Sequence, residues 1–204
     1  MFITFEGIDY SGKTSQAKLL VSYLSNRGRD VIFLREPGGT AISEKLRDML
    51  LDRKHLELTQ KTELFLFSAA RTQLVNQVIA PALKAGKAVV CDRFYDSTTA
   101  YQGYGRGLDL EDVKTVNRIA AGGTTPDLTL FVDIEVDEIF KRQKAAGISA
   151  DRMESSGRDF FERVRRGYIA LAGAQAGSFL VIDGMRPVDE IHNEIVSIVQ
   201  KRFF

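Results

Sequence analysis

Between an apolar run (Phe2, Ile3, Phe5) and a segment of helical spacing lies Gly7-Ile8-Asp9-Tyr10-Ser11-Gly12-Lys13-Thr14. These residues fit G-x-x-x-x-G-K-[ST], a loop whose chemistry requires a strand before it and a helix after it. Gly7 and Gly12 let the backbone turn so that successive N–H groups point inward, toward phosphate oxygens. The helix that follows adds the positive end of its dipole. Lys13 brings a full charge to a β/γ-phosphate pair, and the Thr14 hydroxyl suits Mg²⁺. A chance match in some other glycine-bearing turn is the competing reading, and the flanking strand and helix patterns argue against it.

The rest of the chain continues the alternation that this opening starts. Candidate strands are Phe2–Glu6, Asp30–Leu34, Ala88–Asp92, Leu128–Ile134 and Ser178–Ile182. They are mostly unbroken apolar runs, as strands buried on both faces should be. Helical spacing marks Lys13–Asn26, the long segment from about Glu57 to Leu83, Val136–Lys144, Asp159–Ala172 and Val188–Arg202. The pattern predicts an α/β fold, a parallel five-stranded sheet with helices on both faces, in a single domain over residues 1–204. Ligands in such sheets gather beyond the carboxyl ends of the strands. The opening loop, Arg35–Thr40, Asp92–Phe94 and Ile134–Val136 all fall at that edge.

Composition narrows the function. Lys and Arg number 28 against 27 Asp and Glu, so nothing pulls the whole molecule toward nucleic acid or an anionic membrane. No apolar stretch approaches the roughly 20 residues of a membrane helix, and no signal peptide precedes the first strand. The single cysteine, Cys91, suits a reducing compartment and reads as core filler in Ala88-Val89-Val90-Cys91. A cytoplasmic protein is the expectation. A guanine-reading N-K-x-D is missing from the sequence, which argues against a GTPase switch.

Four segments bear on what receives a phosphoryl group. In LREPGGT, Arg35 and Glu36 leave a strand end and Pro37-Gly38-Gly39 forces a turn, giving either a site edge or a surface ion pair. Arg47, in the following helix, could reach inward. In LFLFSAARTQL, Phe67 and Arg71 share a helical face. A ring beside a guanidinium fits a nucleoside monophosphate, though core packing and a solvated charge would read alike. In CDRFYDSTTAYQGYGRG, Asp92 and Arg93 end a strand, and Thr98, Tyr101 and Gln102 follow on one helical face. They could hydrogen-bond a base and crowd a sugar, or form a polar helix surface. In KRQKAAGISADRMESSGRDFFERVRR, arginines cluster around small residues, as in either a mobile lid or a solvated charge run.

Together these segments resemble the thymidylate kinase family of nucleoside monophosphate kinases. The likeness runs through FEGIDYSGKT, REPGGT, LFLFSAAR, CDRFYDSTTAYQG, PDLTLFVDI and DRMES followed by FFERVRRGY, in order and in spacing. It implies a P-loop kinase domain with an arginine-bearing lid at approximately 145–158, and transfer of the γ-phosphoryl of ATP to dTMP with Mg²⁺. By the resemblance, Gly7, Ile8, Asp9, Tyr10, Ser11, Gly12, Lys13 and Thr14 hold ATP, and Arg142 lies against its adenine. Phe67 stacks on thymine, Thr98 and Gln102 read it, and Tyr101 crowds the 2′ position. Arg71 and Arg93 hold the dTMP phosphate with help from Arg47, while Asp9 and Glu36 complete that network. Lys13, Arg93 and Arg152 are the expected catalytic residues. Tyr10 and Ser11 stand where some members carry a loop arginine, so the lid would supply it here through Arg152, with Arg158 as the nearby backup. Thr14 and, more weakly, Asp92 are the metal candidates. The family is usually a homodimer. A deoxynucleoside kinase, which would not need Arg71 and Arg47 on an acceptor phosphate, and a non-catalytic nucleotide-binding protein remain the alternatives.

Overall fold

The computed structural model describes residues 1–147 and 151–204. Five strands, β1 (Phe2–Glu6), β2 (Val31–Arg35), β3 (Ala88–Asp92), β4 (Leu128–Asp133) and β5 (Phe179–Asp183), form one sheet. All pairs are parallel and the order is β2-β3-β1-β4-β5. The strands lie within a residue of the bounds expected from the apolar runs.

Side chains alternate across β1. Ile3 and Phe5 face a cluster with Ala17, Leu20 and Leu24 of α1 (Lys13–Asn26) and Ile191, Ile195 and Val199 of α9 (Val188–Phe203). Phe2 faces the opposite layer with Val89, Cys91 and Phe94. Cys91 is fully buried there, in the filler role its neighbours imply. The same alternation turns Glu6 toward this second layer, where α8 (Arg158–Ala174) supplies Tyr168.

The long Glu57–Leu83 segment resolves into α3 (Gln60–Leu74), a π-helical turn at Val75–Ile79 and α4 (Ala80–Lys84). Before it lies α2 (Ala41–Leu51), started by the Thr40 hydroxyl accepting from Ser43 N. After β3 comes α5 (Tyr95–Thr98), continuous with a π-helical run over Thr99–Gly105, then α6 (Leu110–Ala121). Beyond β4 is α7 (Val136–Ala146). Part of the expected lid, residues 148–150, lies outside the described residues. Among the described residues, no helix is long and apolar enough to cross a membrane.

One buried acid has a measurable consequence. Asp96 on α5 accepts from Gln175 through Oδ1, and its Oδ2 has no protein partner among the described residues. Burial, with the nearby Glu6 charge adding to it, raises Asp96 to about 7. The folded chain therefore holds this proton between the ordinary aspartate range and about pH 7, where the unfolded chain has lost it. Stability from this group is greatest at low pH in that window and declines as pH rises. Asp96→Asn should raise the melting temperature at pH 7.5 and flatten the decline between pH 5.5 and 7.5. A lower melting temperature for the variant at pH 7.5 would mean that Asp96 is held ionised instead.

Candidate active site

The carboxyl ends of β1, β3 and β4 bring the loop at Gly7 beside Asp92 and Arg93. Gly7 has φ 147°, and a Cβ on it would lie 2.6 Å from the Val132 carbonyl oxygen, so only glycine lets the loop pass β4 this closely. Gly12, at φ 92°, is the left-handed N-cap of α1. Tyr10 also takes positive φ, 62°, which side-chain-bearing residues rarely adopt. Its hydroxyl donates to Glu154 at 3.4 Å, so the bulk at this position is directed away from the glycines.

Lys13 is only 7% exposed. Its Nζ lies 3.3 Å from the Ile8 carbonyl oxygen and 4.0 Å from Asp9 Oδ1. Burial lowers its pKa and the charge of Arg93 adds to this, while Asp92, Asp9 and Glu6 oppose them. The Thr14 hydroxyl donates to Asp92 Oδ2, and Asp92 Oδ1 is buried with no protein partner among the described residues. A hydroxyl and an under-coordinated carboxylate at the mouth of a phosphate loop fit Mg²⁺, which takes few protein ligands when a nucleotide supplies the rest.

Arg93 binds the loop to the neighbouring helix. It sits at φ 72°, and its Nη1 donates to the Gly7 carbonyl oxygen (2.8 Å), Ser97 Oγ (3.1 Å) and the Tyr168 hydroxyl (3.2 Å). Its Nη2 donates to Asp9 Oδ1 at 2.6 Å and to the Tyr101 hydroxyl at 3.1 Å. The Tyr101 hydroxyl in turn donates to Asp9 Oδ2 at 2.9 Å. Burial alone would raise Asp9, but Arg93 and then Lys13 outweigh it and hold the carboxyl below its ordinary value. Beneath Arg93, Glu6 accepts from Phe94 N, Ser97 Oγ and the Tyr168 hydroxyl.

A cleft partly open to solvent runs from this cluster. Asp9, Glu36, Arg47, Phe67, Arg71, Arg93, Thr98, Tyr101 and Gln102 all line it, so the structure brings together all nine residues expected around an acceptor. Thr98, Tyr101 and Gln102 enter through the π-helical run, a form found often at functional sites. Phe67 is half-buried on the wall and belongs to none of the three buried apolar clusters of the described residues. That placement favours a ligand-facing ring over core packing. Arg47 donates to the Pro37 carbonyl oxygen at 3.1 Å.

Arg71 is 2% exposed and fully engaged. It donates to Glu36 (2.8 Å), Asn117 (3.1 Å) and Thr98 (2.9 Å). It is thus grouped with Thr98, at a distance in the network from the Arg93–Asp9 pair with which it was expected to share a phosphate. Burial raises Glu36 above the usual carboxylate range, against the pull of Arg71.

Arg152 is engaged by protein groups in this structure. Its Nε donates to the Leu50 carbonyl oxygen at 2.7 Å, and its Nη1 pairs with Glu63 Oε2 at 2.6 Å. Both ends are held, one by the C-terminus of α2 and the other by α3. A buried carboxylate is a stronger attractor for a guanidinium than open solvent above a loop. Arg158 is exposed and pairs with Asp137 and Glu162. Arg142 does approach the loop, donating to the Tyr10 carbonyl oxygen (3.2 Å), the Gly184 carbonyl oxygen (3.3 Å) and Glu138 (2.8 Å).

Sequence reasoning missed Asp151, Met153, Leu51 and Ser97, which also line the cleft. It also missed Glu63, although Glu63 lies four residues before Phe67 on the same helical face, a signal that was present.

Comparison with known proteins adds the lineage. Residues 5–195 match the family model described as thymidylate kinase. A thymidylate kinase of Chlorobium luteolum is 47% identical over 211 residues, covering 100% of this chain and 98% of that protein. One from Kosmotoga olearia is 48% identical, covering 96% and 93%. The crystal structure of thymidylate kinase from Ehrlichia chaffeensis superimposes with a TM-score of 0.80 at 36% identity, covering 98% of each chain.

Proposed function

Because the chain belongs to the thymidylate kinase family, we propose that it transfers the γ-phosphoryl group of ATP to dTMP, giving ADP and dTDP on the route to dTTP. The observation that supports this best is the Arg93–Asp9–Tyr101 junction, which joins a phosphate-type loop to a cleft bearing one aromatic wall and several arginines.

The oxygen of a phosphate monoester is already a competent nucleophile, so the protein's task is alignment and neutralisation of charge. Lys13 and the loop N–H groups hold the β/γ-phosphates. Bound with ATP, Mg²⁺ supplies further neutralisation of the triphosphate, and Thr14 and Asp92 are the residues that would hold it. Arg142, spread between the loop and Gly184, faces the adenine side. On the acceptor, Arg93 and Arg47 hold the phosphate, with Asp9 fixing the direction of Arg93. Phe67 stacks on the base, Thr98 and Gln102 read its edge, and Tyr101 closes the sugar side. Arg71 and Glu36 set the base end of the cleft through Thr98. Arg152 acts as a clamp of α2 onto α3, since catalytic contact would first require breaking its pair with Glu63.

A panel of nucleoside monophosphates, with thymidine alongside, offered with ATP and Mg²⁺ tests the reading. Phosphorylation of thymidine but not dTMP would establish a deoxynucleoside kinase in its place, and no transfer to any acceptor would leave a nucleotide-binding protein. Phe67→Ala should raise KM for dTMP by an amount equivalent to about 1–3 kcal/mol of lost stacking, with kcat little changed. An unaltered KM would return Phe67 to a packing role. Pairing into a homodimer would use apolar side chains left exposed on α2 and α3, Ile42, Met49 and Phe65. A monomeric mass in sedimentation at micromolar concentration would count against it.

A further inference from the structure

Glu63 is 1% exposed and touches the cleft only through its neighbours. Its Oε1 accepts from Gln102 Nε2 at 2.8 Å and from Arg106 Nε at 3.1 Å. Its Oε2 accepts from Arg106 Nη2 at 3.2 Å and pairs with Arg152 Nη1 at 2.6 Å. Burial would raise this carboxyl, but hydrogen bonds from Arg106, the charge of Arg106, Gln102 and Arg152 together hold it below its ordinary value. An ionised carboxylate can only accept hydrogen bonds. The side-chain amide of Gln102 must therefore turn its NH₂ toward Glu63, which leaves the carbonyl oxygen as the end available to the cleft that Gln102 lines.

Four residues earlier, Thr98 is fixed in the opposite sense. Arg71 Nη2 donates to its Oγ1, so the hydroxyl's own proton is free to be donated. The cleft thus offers an acceptor from Gln102 and a donor from Thr98. Thymine and uracil present the complement, an N3–H donor and an O4 acceptor, whereas cytosine presents the reverse, an N3 acceptor and an amino donor.

We infer that Glu63 is a specificity-determining positioning residue, which makes the enzyme select a 4-keto over a 4-amino pyrimidine by locking Gln102 as a hydrogen-bond acceptor. This rests on the proposed dTMP kinase reading. Glu63 itself does not touch the nucleotide.

The experiment compares kcat/KM for dTMP, dUMP and dCMP in the wild type, Glu63→Gln and Arg106→Gln. The dUMP/dCMP pair isolates the N3 and C4 edge from the thymine methyl group. In Glu63→Gln the partner amide can donate or accept, so Gln102 is free to rotate, and the dUMP-over-dCMP ratio should collapse by at least about tenfold. Arg106→Gln removes an ion pair but leaves the carboxylate, so it should lower the melting temperature and preserve the ratio. Should Glu63→Gln fail to fold, the exchange Glu63→Gln/Gln102→Glu keeps one carboxylate in the pair and an acceptor facing the base, and it should retain the preference for dUMP. An equal fall for dUMP and dCMP in Glu63→Gln would overturn the inference, as would a ratio near one in the wild type or in the exchanged pair. Absence of dTMP phosphorylation by the wild type would instead remove the kinase reading beneath it.

Discussion

Lys13→Ala should lose about 100- to 1,000-fold in kcat, the scale on which a single preorganised contact to developing charge acts. Lys13 is almost wholly buried, with Asp9 and the Ile8 carbonyl oxygen as its neighbours. Little water therefore competes for its charge, and alanine puts nothing in its place. KM for dTMP should change little, because the acceptor's contacts belong to Arg93 and the cleft. Removing a buried ammonium also relieves a desolvation cost, so the melting temperature should hold. Steady-state kinetics with ATP and dTMP decide the matter. Retention of more than about a tenth of the wild-type kcat would show that the loop amides suffice without the lysine.

Arg93→Lys should be nearly as damaging, by a different route. The guanidinium holds five acceptors on two nitrogens. An ammonium on a flexible stem cannot span the Gly7 carbonyl oxygen and Asp9 together. We expect kcat/KM for dTMP to fall by about 100-fold or more, through both orientation and transition-state charge. Stability should fall as well, since the half-buried Asp9 carboxylate would keep a charge nearby but lose its fitted, forked partner. Comparison with Arg93→Gly separates the two effects, because lysine keeps the charge and loses the fork, whereas glycine accepts φ 72° without strain and loses both. If Arg93→Lys instead kept wild-type kcat/KM, a point charge would be enough and the forked geometry irrelevant.

What the chain discloses by itself depends on how local the cause is. The Gly7–Thr14 loop is contiguous and sits between a strand and a helix, so its position and geometry are legible residue by residue. The strands are legible for the same reason, because β1, β3 and β4 are buried on both faces and are mostly apolar. Thr98, Tyr101 and Gln102 can be grouped by spacing even though the backbone there widens into a π-helix. The protein partners of Arg152 and Arg71 are not legible, because they lie far away in sequence. Nothing near Arg152 says that Glu63 will capture it, and nothing near Arg71 says that Asn117 and Glu36 will. Glu6 and Glu63 are illegible in kind. A glutamate in a strand or helix reads as a wet face until tertiary packing surrounds it with donors.

Asp9 stands inside the loop yet is gripped from the neighbouring helix by Arg93 and Tyr101. On the proposed reaction, the seats of donor and acceptor would thereby be riveted to a single chassis, and a shift of one against the other would have to shear those bonds. Admission and egress would then fall to the outer wall of the cleft, where Leu51 of α2, Asp151 and Met153 stand.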